Sequence, residues 1–284
     1  MDLSVRVPRL PRPGETVTGS EAVRSPGGKG GNQAVAAARL GPRVQMIGMV
    51  GGDPFGVELR RNLEAEGVDV GAVGVAAESA TGMALIVVQA DGENTITLSP
   101  GANALLSAEA AAAGAAAARD AAVLLMNLEV PLDAVLAAAQ STDALRVLNA
   151  APVPKSDLSA LLRVVDVLVV NETEAAALLG EPVRDPHALL SLGPRVAVLT
   201  LGAAGAVAVS AEGVWKQEGF AVEAVDAVGA GDAFCAALAV ALGAGTSIQA
   251  ALRRACAAGA IATTRFGAQA ALPSSTEVDQ LLSS

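Results

Sequence analysis

The chain has 284 residues, with 19 Lys and Arg against 29 Asp and Glu, a formal net charge of −10. That balance argues against a nucleic-acid or anionic-membrane binder, although backbone donors and Mg²⁺ could still hold a nucleotide. With 52% apolar residues, no Tyr and a single Trp (Trp215), the core must be built from Ala, Val and Leu, and the length suits one large α/β domain with a small second unit.

Residues 1–26 are rich in Pro, Arg and Gly, with β-like pieces at Val5-Arg-Val7 and Thr16-Val17-Thr18. Gly27-Gly28-Lys29-Gly30-Gly31 is a loop into a helix from Asn32 to Leu40, stopped by Gly41-Pro42. A strand at Val44–Val50 and a helix to about Glu66 follow. Short alternating pieces come next at Val73–Val75, Met83–Gln89 and Asn94–Leu98, with Asp91-Gly92 as a hairpin signal between the last two.

From 104 onward helices and strands alternate regularly. Helices are expected near 107–119, 131–140, 156–163, 172–179 and 186–191. The intervening strands are Ala122–Met126, Arg146–Asn149, Asp166–Val170 and Val196–Thr200. Short strands at 206–209, 214–217 and 220–225 precede helices at 231–242, 246–264 and 275–283. Apolar strands separated by helices predict a parallel sheet covered on both faces. In such sheets function lies beyond the C-terminal strand ends. The loops there carry Asn127-Leu-Glu129, Asn149-Ala-Ala-Pro152, Asn171-Glu-Thr-Glu174 and Thr200-Leu-Gly202.

His187, the single histidine, follows Asp185-Pro186 at a helix start and reads as a surface residue, which leaves no Ser–His–Asp or Cys–His arrangement. Cys235 and Cys256 lie in apolar helical stretches and read as structural thiols in a reducing compartment. Arg6, Arg9 and Arg12 interrupt any leader-like apolar run, and the Ala-rich 111–118 stretch is too short to span a bilayer, so a cytoplasmic protein is expected.

The segment Asp226-Ala-Val-Gly229-Ala230-Gly231-Asp232 leads into the apolar helix from Cys235 to Leu242. Bare N–H groups at a glycine-rich helix start make a pocket for negative charge, and an adjacent carboxylate can take a proton; phosphoryl transfer to an alcohol needs both. The plainer reading, a first-turn acid that complements the helix dipole, stands equally on these residues alone. There is no Walker A sequence and no GxGxxG fingerprint, so phosphate handling must rest on 229–232 or on the 27–31 loop.

Gly27-Gly-Lys-Gly-Gly-Asn-Gln-Ala34, Asn171-Glu-Thr-Glu174 and Gly229-Ala-Gly-Asp232 occur in that order. Together they closely resemble the PfkB (ribokinase-like) carbohydrate kinase family, over residues 2 to about 282. Pro13–Gly19, Gly27–Ala38 and Gly101-Ala-Asn103 look most like its ribose-phosphorylating members. The resemblance implies a three-layer α/β fold, its central sheet mostly parallel, with a small β-sheet lid. The main domain would be 20–72 with 100–284, and the lid 2–19 with 73–99. It implies ATP-dependent phosphorylation of a sugar's primary hydroxyl, D-ribose to D-ribose 5-phosphate, with Mg²⁺ and a K⁺-like activator. Other sugars of the family (2-keto-3-deoxygluconate, fructose), a nucleoside, or a catalytically silent sugar binder are the alternatives.

By the same resemblance, Asp232 would be the general base, and the N–H groups of Gly229, Ala230 and Gly231 the anion hole. Asp2, Gly28, Lys29, Asn32 and Glu129 would bind the sugar. Asn171 and Glu174 would lie near the phosphates, Glu174 reaching Mg²⁺ through water. Thr200, Gly202 and Gly205 would line the nucleotide cleft, with residues 255–260 near the adenine. The monovalent cation would use Asp226 and carbonyls of Val228, Ala262, Arg265 and Gly267. A homodimer through the lid is implied. Each residue also has a plainer role, such as a helix cap for Asn32 or Asn171 and a surface charge for Glu129.

Two departures stand out. Position 271 is Ala where a Ser often lies near the cation. The family also opens on an apolar strand inside the sheet that ends in a Gly-Ser/Asn-x-Asp turn, whereas this chain starts within that turn, at Met1-Asp2. Met1 is therefore expected to be an internal methionine; failing that, Asp2 would be a frayed terminus. Without that strand, its neighbours would expose apolar surface and unpaired backbone.

Overall fold

The computed structural model describes residues 1–89 and 94–284, so the Asp91-Gly92 hairpin signal lies outside the described residues. Three sheets organise the described residues. The largest contains β7 (Val123–Met126), β8 (Leu145–Asn149), β9 (Val167–Asn171), β10 (Val196–Thr200), β11 (Ala206–Ser210) and β12 (Gly213–Gln217) in sequential spatial order. Strands β7 to β10 are parallel, and β11 and β12 complete the sheet antiparallel. Strands β3 (Val44–Gly51) and β4 (Val68–Ala76) form a parallel pair. The third sheet has the order β2 (Val23–Ser25), β1 (Asp2–Val7), β5 (Met83–Gln89), β6 (Asn94–Ser99).

The large sheet is covered on both faces because its inner strands are runs of Val, Leu and Ala on both sides, with polar residues mainly at their ends. Side chains alternate in direction along a strand, so each strand feeds two cores. Val147, Val167, Val169 and Val198 join one cluster with α7 (Ala230–Gly243), α8 (Ile248–Ala262) and α1 (Lys29–Arg39). Leu148, Leu168, Val170 and Leu199 point the other way, into a cluster with α4 (Leu132–Gln140), α5 (Ser159–Leu162) and α6 (Glu172–Leu179). Helix α7 is apolar all round because it lies between the sheet and α8, and residues from Asp232 to Ala239 are all buried. The remaining helices are α2 (Pro54–Ala65), α3 (Ala108–Ala117), α9 (Ala268–Ala271) and α10 (Ser275–Ser283).

Among the described residues β3 pairs only with β4, and β7 only with β8, although Ile47 and Met49 of β3 share a small apolar cluster with Leu124 of β7. Each therefore presents one edge without a strand partner, and both line one cavity. Asp2 is not frayed: β1 pairs it with Ser25 on one side and Ala84 on the other, and the Met1 ammonium donates to the Gly82 carbonyl at 2.9 Å.

Most elements fall within a few residues of their sequence-predicted positions, and the differences have local causes. Residues 73–75 belong to β4 and pair with β3 rather than with the small sheet, which gains Val23–Ser25 instead. No strand forms at 16–18 or 220–225, where neither stretch is paired. The helix expected over 156–163 shortens to Ser159–Leu162 behind Asp157, whose carboxylate turns the chain by accepting from Ser159 N–H at 2.9 Å. Both cysteines are buried, and burial pushes both thiols well up, so neither is a reactive thiolate; His187 is exposed, as expected.

Candidate active site

Asp232 occupies the first turn of α7 and is 7% exposed. The helix opens at Gly229, whose φ of 81° only glycine adopts without strain, and whose lack of a side chain leaves the first turn uncapped. A Cβ there would also lie 3.1 Å from the Ala268 Cα. The earliest i→i−4 bond runs from Ala233 N–H to the Gly229 carbonyl, at 2.9 Å. The N–H groups of Gly231 and Asp232 precede it and point out of the helix end, where an anion is stabilised.

Helix α1 is built the same way. Its cap is Gly28, not Asn32, and the capping residue has no side chain to bond the first turn. Instead the Glu129 carboxylate, from the loop after β7, accepts from Lys29 N–H at 2.8 Å, placing negative charge at the positive end of the helix. Glu129 is thus half-buried within the cavity and is no surface charge. Asn32, one turn further in, donates from Nδ2 to Asp232 Oδ2 at 2.8 Å, so it bonds across the fold rather than capping its own helix. Gln33 donates from Nε2 to Asp232 Oδ1 at 3.0 Å. Gly27 is required by close approach: a Cβ there would fall 2.0 Å from the Asp2 carboxylate.

Asp2, Lys29, Asn32, Glu129, Gly229 and Asp232 all line one cavity of about 2600 Å³, which extends to the facing edges of β3 and β7. Burial pushes the carboxyls of Asp2, Glu129 and Asp232 above their ordinary values. The Lys29 ammonium and the amides of Asn32 and Gln33 counter this at Asp232. Asn32 Oδ1 is buried without a protein partner, an acceptor suited to a ligand hydroxyl.

The residues expected near the nucleotide form a second group, outside that cavity. Asn171 ends β9 and lies in register beside Thr200 at the end of β10. Asn171 Oδ1 accepts from Glu174 N–H at 2.8 Å, and Glu174 Oε2 accepts from Asn171 N–H at 2.9 Å, so the pair forms a capping box. The Glu174 carboxyl is raised, mainly by burial. Gly202 is exposed and Gly205 buried in the turn between β10 and β11. In the 255–260 stretch, Ala255, Cys256, Ala257 and Ala258 are buried in the core, leaving only its last turn near the surface.

Asp226 bridges two loops. Its Oδ1 accepts from Val228 N–H at 3.0 Å and its Oδ2 from Gly267 N–H at 2.9 Å. The Thr263 carbonyl accepts from the N–H groups of Val225 and Asp226 at 2.7 and 3.0 Å, which brings Val228, Ala262, Arg265 and Gly267 into one neighbourhood. No group of three or more His, Cys, Asp or Glu that could hold a metal occurs among the described residues. Sequence reasoning missed Gln33, although it stands beside Asn32 in the motif. It also missed the stacking of Arg6, from β1, on Phe266, 5.5 Å from the ring centroid.

An α/β core with a glycine-capped acid at one helix start, and a small separate sheet beside it, defines a class of two-part α/β proteins whose site lies between core and sheet. The chain belongs to the pfkB family of carbohydrate kinases, whose profile matches residues 1–275. It is 38% identical to ribokinase of Haemophilus influenzae over 293 residues, covering 99% of this chain and 95% of that one. The structure of ribokinase from Thermotoga maritima matches with a TM-score of 0.92 at 31% identity, covering 100% of this chain and 96% of that one. The Arabidopsis thaliana ribokinase complexed with ribose and ATP matches with a TM-score of 0.87 at 29% identity, covering 99% and 95%.

Proposed function

We propose that the protein phosphorylates D-ribose at O5 with ATP, giving D-ribose 5-phosphate and ADP. The observation that carries this reading is Asp232: a buried carboxylate, beside open helix N–H groups, tied by Asn32 to the glycine loop. The full-length likeness to ribokinases, one of them bound to ribose and ATP, supports the substrate pair.

In this reading Asp2, Lys29, Asn32 and Glu129 hold the sugar with its primary hydroxyl at Asp232. The carboxylate takes the hydroxyl proton as the oxygen attacks the γ-phosphorus, and the bond to the β,γ-bridging oxygen breaks, releasing ADP. The N–H groups of Gly229 and Gly231 meet the charge on the transferring oxygens, and that of Ala230, which donates to the Ala227 carbonyl at 3.3 Å in the ligand-free protein, joins them once released. Asn171, Glu174, Thr200, Gly202 and Gly205 flank the nucleotide. Mg²⁺, when bound, would neutralise phosphate charge, with Glu174 reaching it through water. A K⁺-like ion would be held by Asp226 and carbonyls of Val228, Ala262, Arg265 and Gly267, firming the loops that flank the start of α7.

The small sheet acts as a lid that excludes water from the reaction. Val23, Ile96 and Leu98 are exposed on the face of the small sheet that lines the cavity and Leu85 on its opposite face, and we assign the sheet's open apolar surface to a second copy of the chain. No helix among the described residues is long and apolar enough to cross a membrane, and we place the enzyme in the cytoplasm.

The test is ADP release from Mg-ATP with D-ribose, fructose, 2-keto-3-deoxygluconate and adenosine, with and without K⁺. Turnover selective for ribose and raised by K⁺ is expected. Selective turnover of another acceptor overturns the substrate, and no turnover with any overturns the enzyme.

A further inference from the structure

Gln33 is 3% exposed and binds no partner on its own helix. Its Nε2 donates to Asp232 Oδ1 at 3.0 Å and to Asn149 Oδ1 at 3.1 Å. An amide nitrogen carries two hydrogens, so both bonds are made at once. Asn149 ends β8, Gln33 lies in the first helical turns of α1, and Asp232 begins α7, so one side chain ties three elements from distant parts of the chain.

We infer that Gln33 is a positioning residue for the Asp232 base: anchored by Asn149, it fixes the rotation of the carboxylate while Asn32 is engaged by substrate. This rests on the proposed function for its catalytic consequence. An aspartate's terminal torsion is broad and nearly two-fold, so a carboxylate held at one oxygen swings easily. Asn32 holds Oδ2, yet its own Oδ1 is unpartnered and faces a ligand role. Gln33 carries no such divided duty, because both of its amide hydrogens are committed inside the protein.

Removing the Gln33 donor also removes one of the influences that keep this buried carboxyl ionised. The other groups with electrostatic influence on it are Lys29 and Asn32 on α1, Asp2 on β1 and Glu129 after β7. None of them is altered by Gln33→Met, a substitution of similar length without a donor.

Two readouts on Gln33→Met test the inference. Its kcat is expected to fall about ten- to a hundredfold with the KM for sugar within about twofold, while the acid limb of the kcat profile moves to higher pH. Separately, the carboxyl ¹³C titration of Asp232, assigned by its loss in Asp232→Asn, is expected to move up in the ligand-free protein, whatever the substrate. Asn149→Leu, which removes only the anchor, is expected to shift both readouts the same way by less, and it decides the matter if Gln33→Met does not fold. An unmoved Asp232 titration, or equal losses in kcat and sugar affinity, overturns the positioning role. A moved titration in a protein that turns over no sugar would sink the proposed substrate and leave the positioning role intact.

Discussion

The two halves of the candidate site are built in opposite ways. On one side, Asp2, Glu129 and Asp232 share a cavity with Lys29, and burial raises all three carboxyls. On the other, Asn171, Thr200 and Gly202 stand exposed or part-exposed at or just beyond strand ends, the two side chains bonded to main-chain groups of Glu174 and Val170. The difference teaches that recognition is divided by chemistry. On the proposed reading a neutral, hydroxyl-rich molecule is matched by buried charges that accept and donate, whereas the polyanion is met by polar strand ends and by the open start of α7. The buried half stores most of the electrostatic cost in the ligand-free protein; on the other side only the Glu174 carboxyl is raised by burial.

The comparison breaks most sharply at Asp232. Asp232→Asn is expected to lower kcat about 10²–10⁴-fold with sugar affinity changed little, measured by ADP release and by calorimetry with ribose. Equal loss of binding would make this carboxylate a sugar ligand and no base. Gly229→Ala comes next: its Cβ meets Ala268 and its φ is strained, so the helix start shifts, and kcat is expected to fall by about 10² while the KM for sugar holds. Glu129→Gln removes a charged acceptor from the buried half and is expected to raise the KM for sugar about tenfold without touching that for ATP.

On the exposed half, Asn171→Ala breaks the capping box and is expected to cost about 1 kcal/mol of stability, read as a lower Tm, with the KM for ATP raised and that for sugar unchanged. The smallest effect is in pH. Asp2, Glu129, Glu174 and Asp232 have raised carboxyls in the folded state, so their favourable contribution is full below the unfolded values and is lost as pH rises through the folded ones. The Tm of the ligand-free protein is therefore expected to rise as pH falls from neutral to mildly acidic. Glu66, which Arg39 holds below its ordinary value, works the other way, as do Asp53, Asp166 and Glu277, and together they set the decline in stronger acid. A Tm that falls steadily from neutrality would show that the buried half stores no such cost.

The alternation of apolar strands and helices after residue 104 was legible because both faces of the large sheet are covered, which leaves continuous Val and Leu runs bounded by polar loop tips. The glycine motifs were legible because a bare helix start has few other sequence solutions. Pairing was harder to read. Residues 73–75 look alike as a lid strand or a partner of β3, since both need short alternating stretches, and only tertiary contact decides. Gln33 was invisible as a tie because its partners lie 116 and 199 positions away, and no local pattern encodes such a bond. Glu129 and Asn32 each had a plausible local role that long-range geometry replaced.

Trp215 is the only indole in a chain with no Tyr, and it lies on β12, the outer strand of the large sheet, packed against the apolar cluster below. The protein therefore carries one intrinsic fluorophore, at the edge of the sheet and outside the sugar cavity. Excitation at the red edge of the near ultraviolet will follow melting of that edge and remain blind to the sugar and to movement of the small sheet. An indole installed at Leu98 would report the other half, and the two emissions together would separate lid motion from unfolding in a single cuvette.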